Sequence, residues 1–144
     1  VDMEIRAGKN LAEKLQRVAG ETGCKILMSS HDFTETPSME EMKRRYETME
    51  AWGADVLKLA VMPHTIEDVL SLLTVCKDVS RASTHPVVAI SMGSLGLESR
   101  ILGDAFGSAM TFGCLDKASA PGQMSVETLA VVLQAIHEGH GLVE

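Results

Sequence analysis

The chain has 144 residues, 45% of them hydrophobic and 23% charged, with a formal net charge of −7. That is enough for one ordinary globular core, but well short of the roughly 250 residues of a complete (β/α)8 barrel. The acidic balance argues against nucleic-acid and acidic-membrane partners. No apolar run reaches the ~18 residues of a membrane span and no signal-peptide pattern is read, so a cytoplasmic protein is expected.

In chain order, Val1-Asp2-Met3-Glu4-Ile5 alternates apolar and acidic residues, which predicts a strand with two carboxylates on one face. A chain that opens inside a strand leads us to expect more of the domain upstream. Residues 9–21 predict an amphipathic helix with Leu11, Leu15, Val18 and Ala19 on its buried face and Gly23 as its stop. Residues 24–29 predict a second buried strand, running into Ser30-His31-Asp32-Phe33. Ser38 with Glu41 three residues on predicts a capping box, and Met39, Met42, Tyr46 and Met49 predict a core stripe on the helix that follows.

The run Asp55-Val56-Leu57-Lys58-Leu59-Ala60-Val61-Met62-Pro63 predicts a buried parallel strand with one lysine inside it. Next come a helix capped by Thr65 and Asp68, with Ile66, Val69, Leu70, Leu73 and Cys76 inward, and a strand over 86–93. A short helix bearing Arg100, a small-residue strand over 105–113, a loop over 118–123 and a last helix over 126–137 complete the pattern. Five strand–helix units in succession imply a parallel sheet, either open or part of a (β/α)8 barrel. The three cysteines, Cys24, Cys76 and Cys114, are odd in number and widely spaced; reduced core thiols are expected, not disulfides or zinc ligands. No metal site and no cofactor is expected, and neither a dinucleotide nor a P-loop glycine motif is present.

Lys58 draws the chemical reading. A strand covered on both faces gives an ammonium no easy path to water, and a desolvated lysine lowers its pKa and becomes a nucleophile toward carbonyls. The alternative is a lysine that snorkels from the strand end or pairs with a carboxylate such as Asp2 or Glu4. In a parallel βα fold the C-terminal strand ends carry the chemistry. There the sequence places His31 and Asp32, Lys58, Met92 and Arg100, then Ser119 and Gln123. A lysine and a histidine together suit imine chemistry: the amine captures a carbonyl and the imidazole moves protons. Arg100 suits a carboxylate, and Ser119 and Gln123 suit hydroxyls. Taken singly, each has a plainer reading, His31 as a loop-ordering residue, Arg100 as a surface residue and Ser119 as a turn cap.

Several segments resemble type I 3-dehydroquinate dehydratases. These are Val1–Ile5; Ile26-Leu27-Met28-Ser29-Ser30-His31-Asp32-Phe33; Lys58-Leu59-Ala60-Val61-Met62-Pro63; Ser91-Met92-Gly93 through Ser99-Arg100; residues 106–113; and Ala118-Ser119-Ala120-Pro121-Gly122-Gln123. The resemblance spans essentially the whole chain. It implies one portion, 1–144, of a TIM-type barrel covering strands four to eight. The reaction implied is dehydration of 3-dehydroquinate to 3-dehydroshikimate in aromatic amino-acid biosynthesis. By the resemblance, Lys58 forms the Schiff base and His31 is the general acid/base. Arg100 takes the substrate carboxylate, Ser119 and Gln123 bind polar groups, and Met92 and Phe112 line the pocket. A glutamate partner for the histidine is expected outside the matched strands.

Two other readings compete: a half-barrel that binds or assembles without turnover, and a Schiff-base aldolase for another small carbonyl compound. Five units cannot close an eight-stranded barrel, so open edges predict pairing with a second copy or with a complementary N-terminal half.

Overall fold

Four strands, β1 (Asp2–Glu4), β2 (Leu27–Asp32), β3 (Val56–Val61) and β4 (Val87–Ser91), pair in parallel in the order of the chain. The computed structural model describes residues 1–117 and 121–140. Helices α1 (Lys9–Thr22), α2 (Met39–Ala51) and α3 (Ile66–Ala82) connect successive strands, and α4 (Leu97–Leu102) and α5 (Val126–His140) follow the sheet.

Local signals set the helix ends. Thr65 and Asp68 form a reciprocal capping box at the start of α3. At α2 only half of the expected box forms. Ser38 Oγ accepts the Glu41 amide at 3.3 Å, while the Glu41 carboxylate turns to Arg44 and Arg45. Gly23 ends α1 in the left-handed region, at φ 70°.

Register divides the sheet into two faces. Met3, Met28, Leu57 and Val87 share one row, and Leu59 and Ala89 lie in the next row of that face. They pack with Met42, Tyr46, Met49, Leu72, Val75 and Cys76 into the main core. The phenol of Tyr46, fully buried, donates to the Val88 carbonyl at 2.8 Å, so its polar end is satisfied inside that core. On the other face Glu4, Ser29, Lys58 and Val88 form one row, and His31, Ala60 and Ile90 the row nearer the C-terminal strand ends. Here the apolar cluster is small, comprising Ala60, Val88, Ile90 and Met92 with Val56, Met62 and Phe112.

Four further sequence expectations change. The expected fifth strand forms no ladder. A 3-10 turn takes Asp104–Phe106, and the segment touches the sheet as a bridge between Val87 and Ser108. The Ser108 hydroxyl accepts the Ala89 amide at 3.2 Å, taking over a bond that a strand backbone would make. On α1 the buried residue is Ala12, flanked by Leu15 and Ala19, whereas Leu11 and Val18 are exposed. On α3 Ile66 and Leu70 are exposed, while Leu72 and Val75 join Val69, Leu73 and Cys76 inside. This helix packs on β4 and also beside α2 and the turn after β4, which shifts its buried arc. Of the cysteines, Cys76 is the buried thiol, pushed up to about 12 by desolvation; Cys24 is exposed and Cys114 half-buried.

Candidate active site

A cavity of about 170 Å³ opens on the small-cluster face, lined by His31, Phe33, Lys58, Ala60, Ile90, Met92, Arg100, Phe112 and Gln123. The residues singled out in the sequence therefore meet at one place, except Asp32, which shares the row of Val61 on the other face, and Ser119, which lies outside the described residues. They come from the ends of β2, β3 and β4, from α4, and from the two segments flanking the loop before α5.

Lys58 is enclosed, its side chain 12% exposed. It is also paired: Nζ lies 3.4 Å from Asp2 Oδ2 and 4.9 Å from the centroid of the Phe112 ring. Both burial and the carboxylate pairing considered for this lysine thus occur together. The nitrogen therefore sits between a carboxylate on one side and an aromatic face on another.

His31 has a partner that the sequence reading did not assign. Glu4 Oε2 accepts the His31 amide at 3.0 Å and sits 2.7 Å from Nδ1. A carboxylate can only accept, so the neutral ring carries its proton on Nδ1 and its lone pair on Nε2. The ring also stacks on Phe33, with centroids 5.8 Å apart and planes 9° apart. The sequence signal for this pairing was the alternation Asp2-Met3-Glu4, which puts both carboxylates on the face that carries Lys58 and His31.

Behind His31, Asp32 holds the turn. Its Oδ1 accepts from the Thr34 hydroxyl and from the Thr34 and Glu35 amides, and Arg45 reaches Oδ2 at 3.4 Å. Desolvation pulls this carboxyl up, but those hydrogen bonds outweigh it and hold it below the usual carboxylate range.

Arg100 is 2% exposed, although it sits on a six-residue helix that invites a surface reading. Its Nη1 donates to the Phe112 carbonyl and its Nη2 to the Pro121 carbonyl, both at 3.3 Å, and Nε has no partner among the described residues. No carboxylate pairs with it among those residues. Burial lowers the guanidinium from its ordinary value. A buried cation answered only by carbonyl dipoles is costly and suited to an anionic ligand. Gln123 anchors the far wall, its Nε2 donating to the Gly113 carbonyl at 3.1 Å.

The family model described as type I 3-dehydroquinase matches residues 1–140. The 3-dehydroquinate dehydratase of Listeria monocytogenes serotype 4b is 44% identical over 138 residues, covering 96% of this chain and 55% of that protein. That of Salmonella paratyphi B is 42% identical over 139 residues, with the same coverage. Among solved structures, 3-dehydroquinate dehydratase from Geobacillus kaustophilus superposes with a TM-score of 0.92 at 36% identity, over 96% of this chain and 53% of that one. A type I enzyme from Clostridium difficile, solved with covalently modified comenic acid, gives 0.90 at 37% identity, over 96% of this chain and 55% of that one. The chain spans about half the length of the curated relatives it matches, and its four parallel strands with their helices form part of a barrel.

Proposed function

The chain belongs to the type I 3-dehydroquinase family, and on that premise we propose that it carries the imine-forming side of a site that dehydrates 3-dehydroquinate to 3-dehydroshikimate. The observation that carries this reading is the convergence of Lys58, His31 and a buried Arg100, with no carboxylate partner among the described residues, on one cavity. Lys58 attacks the substrate ketone and, with loss of water, becomes a protonated imine. That imine withdraws electrons, so a proton on the neighbouring carbon becomes acidic. His31, held by Glu4 with its Nε2 lone pair available, takes that proton and returns one to the departing hydroxyl. Hydrolysis of the imine then releases the product. Arg100 holds the substrate carboxylate, Gln123 and Ser119 meet polar groups, and Met92 and Phe112 close the apolar wall. The covalently modified ligand in the Clostridium difficile relative supports a covalent step at a site of this kind.

The polar row on this face runs out to β1, an edge strand of the described sheet. An open edge beside charged inner residues favours association, with a second copy or with a complementary half of the barrel. Borohydride reduction in the presence of 3-dehydroquinate tests the function. The expected result is one adduct on Lys58, together with measurable dehydration. An adduct on other lysines, or none, refutes it.

A further inference from the structure

Two carboxylates on one short strand reach two different groups. Glu4 serves His31, while Asp2, two residues earlier on the same face, serves Lys58. Asp2 is itself held. Its Oδ1 accepts the Ser29 hydroxyl at 2.6 Å, and its Oδ2 receives Lys58 Nζ at 3.4 Å. Ser29 is buried and lies directly beside Lys58 in register. The Asp2 side chain is 50% exposed, so without the serine its carboxylate would turn freely into solvent.

We infer that Asp2, fixed by Ser29, is the positioning residue for Lys58, holding its nitrogen against the Phe112 ring and serving as its counter-ion. The inference rests on the reading of Lys58 as the imine-forming amine, and the charge balance agrees with it. An ammonium and a ketone give a protonated imine and water, so the nitrogen carries one positive charge before and after the step. One carboxylate in one place therefore suits both states. A four-carbon lysine stem has many rotamers, and a fixed anion selects among them before substrate arrives. Ser29 contributes through Asp2 alone, since its hydroxyl donates to the carboxylate.

The test uses the 144-residue chain, with Asp2→Asn, Ser29→Ala and Asp2→Glu. The first readout needs no substrate. In carbon–proton spectra of the lysine ε-methylenes, Lys58 should show two resolved, non-equivalent protons. Asp2→Asn and Ser29→Ala should merge them while the amide spectrum keeps its dispersion, and Asp2→Glu should restore part of the splitting. The second readout is borohydride trapping of 3-dehydroquinate, in which the adduct should form about tenfold more slowly in Asp2→Asn and about threefold more slowly in Ser29→Ala. Unchanged Lys58 signals in both variants overturn the inference. Merged signals with no adduct in the unsubstituted chain uphold the positioning and instead refute Lys58 as the imine-forming amine.

Discussion

The two faces of the sheet are built on opposite principles. The face toward α1, α2 and α3 is closed by large apolar side chains, with Met28, Leu57, Leu59 and Val61 fully buried there. The Tyr46 phenol enters that face with its polar end satisfied, donating to the Val88 carbonyl. The other face carries Glu4, Ser29, Lys58 and His31 in adjacent rows and only a small apolar patch around Ile90 and Met92. The same four strands supply both, because side chains alternate along each strand. The contrast teaches that stability and chemistry are assigned here by residue parity. Odd-numbered positions of β3 (Leu57, Leu59, Val61) hold the fold, while Lys58 addresses the site.

That division can be broken by exchanging the roles of neighbours. Lys58→Ala should abolish covalent trapping of 3-dehydroquinate and any dehydration, yet leave the thermal midpoint within a few degrees, since the removed group lies off the main core. A trapped adduct of unchanged mass in this variant would end the assignment. Its neighbour should behave in reverse. Leu57→Ala removes a fully buried side chain and should destabilise by about 2–5 kcal/mol in urea unfolding. If the folded fraction of that variant lost its trapping to the same degree as Lys58→Ala, the two faces would not be separable.

Smaller changes sharpen the picture. Arg100→Lys keeps the charge but loses the planar fork, and should weaken binding of a carboxylated substrate analogue by about ten- to hundredfold, measured by calorimetry. Unaltered affinity would remove Arg100 from the site. Asp32→Asn gives the gentlest effect, about 1–2 kcal/mol at neutral pH. The sign follows from its lowered folded-state pKa. Its contribution is fully present above the unfolded value, roughly pH 4, and is lost as pH falls through the folded one. Acid titrations followed by circular dichroism should therefore show the original chain and Asp32→Asn converging below that range. A constant gap at all pH values would contradict the role of the charged carboxylate.

Much of this molecule is local and was legible as such. The caps at Ser38 and Thr65, the stop at Gly23 and the lysine inside an apolar run depend on residues within a few positions of one another, where steric and hydrogen-bonding preferences act without knowledge of the rest. The resemblance of the segments around His31, Lys58 and Arg100 likewise identified the family that the comparisons bear out. Three things were decided only in three dimensions. Which side of α1 is buried depended on how the helix lies on the sheet, not on its own periodicity. The segment around Ser108 became a bridge because a side-chain hydroxyl took the edge amide. Above all, Glu4 met His31 across 27 residues and Asp2 met Lys58 across 56. The alternation of β1 placed both acids on one face, but their partners follow from strand order and register. Those are settled by packing of the whole sheet, and a charge on a strand pattern carries no record of which neighbour will stand beside it.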